Sequence, residues 1–361
     1  MKKQTRIERF YRELELELIG KIGELINYQR AYEYQDRIDE WKRIQVDLLT
    51  DLKSYRRKQI QHYLTAMDKD LQEWLIELYS KALHEVDEGY KPFIEAGALT
   101  YTAHIAQKQY IDTLLGEMIR DNRLIVSGII QNMDKVYIDI VNEAARMAIM
   151  GDRTLRQSAV MMMKKWAEKG MPVIQDRRGR NLSIEGYSAM TMRATQKNVA
   201  NHITEQRLNE YDIDLVEFSS HISSRPSHAP FQGRIYDRKG THPKYPPLAS
   251  TSYGEPLQGM VTGINCRHHI YPYIEGISVQ KYKPYDPEEV ERAYRKEQAQ
   301  RQLERRIRAS KKVVHALKSM EAPQDEVMAA ELKVKRGQKT MREFIKSTGR
   351  TRRYDREQIA V

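Results

Sequence analysis

Apolar residues return every three or four positions near the start of the chain. Ile7, Phe10, Leu14, Leu18, Ile22 and Leu25 form one stripe, and Ile60, Leu64, Met67, Leu71, Trp74 or Leu75, and Leu78 form a second. That spacing places each set on one face of an α-helix. No proline precedes Pro92, so nothing before it forbids long helices. The stretch EGYKPFIEAG is the first strong break, and a further helix is predicted over about 104–149, interrupted near RDNRLIVSG. Such stripes need partners, and the predicted solution is antiparallel helices packed on one another.

The pattern changes after residue 150. DRTLRQSAVMMMKKWAEKG reads as one more amphipathic helix, closed by Gly170, with Met161–Met163 as core filler. PVIQDRRGRNLSI has the form of a hairpin, and SAMTMRATQKNVANHITEQRLNEY is helical again. DIDLVEFSSH is predicted to be a strand whose end delivers His221 into a loop. Nine of the 12 prolines fall between 226 and 287 and six of the 18 glycines between 233 and 276, so this segment is irregular chain with short strands such as GRIY and HHIYPYI. Helix resumes with Asp286 as cap, Pro287 at the first helical position and acids in the first turn. The expected fold class is α+β and predominantly helical, in three parts. These are a helical region over 1–150, a small α+β domain with a loop-rich polar motif over 151–282, and C-terminal helices with a basic tail over 283–361.

Charge sharpens this picture. The net charge of +11 points to an acidic partner, nucleic acid or an acidic protein surface. Residues 286–331 carry ten Lys/Arg against ten Asp/Glu, whereas 332–361 carry ten against three, so the surplus gathers at the C-terminal end. Lys333, Lys335, Arg336, Arg350, Arg352 and Arg353 are the candidates for contact with phosphates, in a salt-dependent and sequence-independent way. No run reaches the ~20 apolar residues of a membrane span. The opening stretch lacks a secretory h-region, and one cysteine cannot staple a domain. The 22 tyrosines are expected mostly at core edges, with a protein-contact surface as the alternative.

Chemistry concentrates in SSHISSRPSHAPFQGRIY and, thirty residues on, GINCRHHIYPYIEGIS. Phosphate-loop, GxGxxG, HExxH and GxSxG patterns are absent from the sequence. Three readings of the histidines and Cys266 remain. A Cys–His nucleophile is one, although nothing marks Cys266 as activated. A zinc-type site drawing on His221, His228, Cys266 and one of His268 or His269 is the second, since neighbours in an extended chain face opposite sides. The third is a polar framework. A proline-rich loop leaves backbone groups without ladder partners, and Arg225, His228, Gln232, Asn265 and Arg267 carry the donors to hold them. Gly233, Gly254 and Gly263 would supply its turns.

The same residues resemble the phage minor capsid proteins of the Mu F-like head-morphogenesis group, of the minor capsid protein 2 type. The resemblance rests on a serine–histidine strand end, Arg-Pro-Ser-His, an aromatic followed by Gln-Gly, and Gly-x-Asn-Cys-Arg-His. The matching positions are His221, Arg225, Ser227, His228, Gln232, Gly233, Gly263, Asn265, Cys266, Arg267 and His268, with Arg193 in MTMRATQ upstream. Phe231 stands where the family commonly has tryptophan, and YGEPLQGMVTG is less glycine-rich than usual. The resemblance implies a structural, non-enzymatic head protein of a tailed phage or prophage, present in few copies at the portal vertex. It would act in capsid assembly and in DNA packaging or delivery. Its partners would be portal protein, major capsid or scaffolding protein, and double-stranded DNA through the tail. Its place would be the virion, after assembly in the host bacterial cytoplasm. No cofactor is implied. The alternative is a metal-dependent nuclease or transferase built on His221, His228 and Cys266.

Overall fold

The first stripe forms α1 (Lys2–Ile26), in which Ile7, Leu14, Leu18, Ile22 and Leu25 are buried as their spacing requires. The second lies on α3 (Ile38–Glu88), reached through the short α2 (Tyr28–Glu33). After the short α4 (Lys91–Glu95), α5 (Lys108–Ile149) runs without the expected interruption. Asn122, in the suspected break, is buried inside the helix, and its Oδ1 accepts a hydrogen bond from the Tyr11 hydroxyl at 2.6 Å. A turn-forming residue with a tertiary partner has no need to leave the helix. The computed structural model describes residues 2–104, 108–170, 172–175, 181–251, 253, 263 and 266–359. Gly254 and Asn265 lie outside the described residues, as does the side chain of Ile60.

α6 (Leu155–Lys169) opens with a capping box between Thr154 and Gln157 and closes at Gly170, whose φ of 76° suits glycine. Met162 and Met163 are buried in the core. β1 (Pro172–Gln175) and β2 (Asn181–Ser183) pair antiparallel, as the hairpin reading expects. α7 (Ile184–Glu210) leads to β3 (Leu215–Phe218), which takes the centre of a three-stranded antiparallel sheet between β4 (Ile235–Asp237) and β5 (Ile270–Pro272). Val216 faces Tyr236 on one side and Pro272 on the other. α8 (Pro287–Ser319) starts at Asp286, whose Oδ1 accepts from the Glu288 and Glu289 amides at 3.0 Å each. α9 (Gln324–Thr348) ends at Gly349 in the left-handed conformation. Of the described residues 71% are helical, beside a small antiparallel sheet, so the expected α+β, predominantly helical class is the observed one.

The described chain packs as two units. The first gathers residues 1–71, 117–189 and 300–361, and the second 72–116 and 190–299. The divisions fall inside α3, α5, α7 and α8, so each of these helices contributes to both. In the first unit α1 meets α8 closely. A Cβ on Gly23 would lie 3.1 Å from the Ala316 carbonyl oxygen, and Lys312 forms a buried ion pair with Glu15 at 2.7 Å. In the second unit the sheet packs Val216, Phe218, Tyr236 and Ile270 against Tyr90, Leu208 and Tyr211. Phe218 and Tyr236 meet edge to face, their ring centroids 5.2 Å apart.

Candidate functional site

β3 is buried along its whole length, and its end points the following loop at the segment that enters β5. Ser219 fixes that approach twice. Its amide donates to the His269 carbonyl at 2.9 Å, and its hydroxyl accepts from the His269 amide at 2.9 Å. Pro226–His228 then makes one 3₁₀ turn, in which the His228 amide donates to the Arg225 carbonyl. That turn lowers His228 into the interior.

Gln232 sits at the middle. Its Oε1 accepts from the His221 backbone amide at 2.8 Å and lies 3.1 Å from His268 Nε2. His221 places Nε2 3.1 Å from the Arg267 carbonyl and 3.3 Å from Ser219 Oγ. These bonds attach the loop to the 266–269 segment through side chains, where the strand ladder has ended. Gly233 follows with φ 68°, and a Cβ there would overlap the Lys283 carbonyl. Only glycine satisfies both conditions. The Gly233 carbonyl accepts from Gln280 Nε2 at 2.8 Å.

Beneath this layer three donor atoms converge. Cys266 Sγ lies 3.7 Å from His228 Nδ1 and 3.3 Å from His268 Nδ1, and all three residues are buried. Burial first, then the neighbouring His221, His228, Lys197 and His269, push the His268 pKa down to about 3, so its ring is neutral. His269 turns the other way, its Nδ1 3.3 Å from Lys197 Nζ, as alternation along extended chain requires. Lys197 is buried and donates to the His268 carbonyl. Burial lowers its pKa to about 8, partly offset by attraction to Cys266.

Residues 2–346 match the family described as Phage minor capsid protein 2. The chain belongs to this phage minor capsid family. Among curated relatives, a "Structural protein" of Lactococcus phage LL-H is 31% identical over 180 residues, 48% of this chain and 48% of its own length. Another "Structural protein", of Lactococcus phage mv4, is 35% identical over 120 residues, 33% of this chain and 95% of its own length. The matched stretch thus spans about half the length of the first relative. No solved structure matches the chain.

Across this minor capsid chain, the motif residues divide by position. His221, Gln232, Gly233, His228, Cys266 and His268 come together around the loop. Arg267 reaches out to Glu297 on α8 at 3.2 Å, while Ser227 and Arg193 lie at the surface. The expected His221–His228–Cys266 grouping is rearranged, because His268 rather than His221 faces Cys266 beside His228. His221 instead stands with its ring centroid 5.2 Å from that of His268.

The tail candidates divide too. Arg352 binds Glu357 through two hydrogen bonds of 2.6 Å, and Arg350 Nε donates to Gln300 at 2.7 Å. Lys335, Arg336 and Arg353 are exposed, and exposed Lys333 pairs with Glu168 at 2.8 Å. Sequence reasoning missed Lys339, Arg342 and Lys346, which with Lys335 recur at helical spacing on the exposed side of α9. It also missed Arg207, buried in the second unit, where Nε binds Asp87 at 2.7 Å and the guanidinium lies 4.6 Å from the Tyr211 ring. Periodicity could have found the first group. Nothing in the pattern marks the second.

Proposed function

We propose that the chain is a minor head protein that sits at the portal vertex and acts in capsid assembly and in packaging or delivery of DNA. The observation that carries this reading is the family match across residues 2–346, almost the whole chain. Both curated relatives described above are structural proteins of phages, which agrees with a role in the particle rather than in turnover of a substrate. Its place is then the virion, with the host bacterial cytoplasm as the site of assembly.

The three sequence regions take separate tasks in this proposal. The helical region over 1–150 docks on portal, scaffolding or major capsid protein. Within the 151–282 region the polar loop holds the chain around β3 and β5, with Arg193, Arg225, Ser227, Asn265 and Arg267 as further members of that framework. The 283–361 region presents basic charge to double-stranded DNA through the exposed Lys333, Lys335, Arg336 and Arg353, while Arg350 and Arg352, held by Gln300 and Glu357, add to the local positive field. The exposed face of α9 supports the last assignment, since phosphate attraction needs solvent-facing cations rather than a count of them. Among the described residues no helix is long and apolar enough to cross a membrane.

Co-sedimentation tests the docking assignment. Purified chain is mixed in turn with the portal, scaffolding and major capsid proteins of the phage that encodes it. Sedimentation with portal rings supports the reading, and migration alone in all three mixtures contradicts it.

A further inference from the structure

We propose that His228, Cys266 and His268 bind one divalent transition-metal ion of the zinc class, and that this ion ties the loop after β3 to the segment entering β5. The donor set is two imidazoles and a thiol, which selects zinc-like cations over magnesium or calcium. The distances fit. With metal–sulfur near 2.3 Å and metal–nitrogen near 2.0–2.1 Å, a tetrahedral centre separates sulfur from nitrogen by roughly 3.5 Å. The two Sγ–Nδ1 separations here are 3.3 and 3.7 Å, one on either side of that value. All three donor atoms lie within 4.8 Å of one another. One thiol proton can bridge to one imidazole nitrogen at a time, whereas a cation is shared by all three donors.

The surroundings prepare the same atoms. Gln232 Oε1 already accepts the His221 amide, which fixes it as the carbonyl end of the side chain. The His268 Nε2 group facing that oxygen at 3.1 Å is therefore the N–H donor. His268 Nδ1 then presents its lone pair toward Sγ, the tautomer a ligand needs. A ligating histidine whose other nitrogen is held by an acceptor is the usual arrangement around protein metals, and here Gln232 is that positioning residue. Three protein donors leave one tetrahedral position for a fourth. The head-protein reading does not depend on this site, and neither fails with the other.

Untagged full-length protein, expressed with added zinc and freed of loose metal by gel filtration, is measured by elemental mass spectrometry. About one zinc per chain is expected, released by a chelator with a fall in melting temperature. Cobalt(II) added to the stripped protein should give tetrahedral ligand-field bands and a thiolate charge-transfer band that saturate together at one equivalent. Cys266→Ser should lose the charge-transfer band, and Gln232→Ala should weaken zinc binding by about 10–100-fold while keeping the band. Zinc and cobalt readings on the wild-type chain stand even if Cys266→Ser fails to fold. A wild-type chain that takes up no stoichiometric zinc and gives no tetrahedral cobalt spectrum overturns the proposal. So does a folded Cys266→Ser chain that retains both.

Discussion

Replacing Lys312 by methionine removes the cation beside Glu15 while keeping most of the volume. The two side chains meet at 2.7 Å across α1 and α8, with exposures of 9% for Lys312 and 1% for Glu15. Removing one partner of a buried pair costs about 3–5 kcal/mol, because the remaining charge stays out of water. Urea unfolding at pH 7 followed by circular dichroism measures it. Glu15→Leu with Lys312→Met should recover most of the loss. A single-variant loss under about 1 kcal/mol at pH 7 would refute the reasoning.

Three further outcomes are expected. Gly233→Ala should cost at least about 2 kcal/mol in urea unfolding, because a left-handed residue is strained and its Cβ meets the Lys283 backbone; a neutral change would contradict this geometry. Burial alone would raise the Asp237 pKa, but the amides of His242, Lys239 and Thr241 reverse this and hold it below the ordinary range. Its contribution is therefore present above the unfolded pKa near 4 and lost as pH falls through the folded one, so Asp237→Asn should flatten the acid limb of a pH–melting-temperature curve. Combining Lys335→Ala, Arg336→Ala and Arg342→Ala should lower the slope of log affinity against log salt for double-stranded DNA by up to about 3, measured by fluorescence anisotropy. Equal slopes would remove these residues from the DNA surface. Point substitutions suit this better than truncation, because Met341 of the same helix is fully buried.

The helices were legible because their signal is local. Leu14, Leu18 and Ile22 announce a face by spacing alone, and Asp286-Pro287 announces a helix start by chemistry confined to one turn. What could not be read is what depends on distant pairing. Glu15 looks like any solvated glutamate until Lys312, 297 residues away, is placed against it. Arg207 likewise becomes a core residue only when Asp87 and Tyr211 surround it. At the loop, alternation told that one of His268 and His269 faces inward, but not which. That choice follows from the anchoring of the His269 amide and carbonyl on Ser219. The suspected break in α5 misled because Asn122 finds a partner in Tyr11 on another helix.

Quantitative mass spectrometry of purified virions tests the central claim most directly. The chain should appear in the particles in a few copies, comparable to the portal subunits and far below the major capsid protein. Virions that lack it, or that carry it in numbers matching the shell protein, would contradict the proposal that this chain is a minor head protein at the portal vertex.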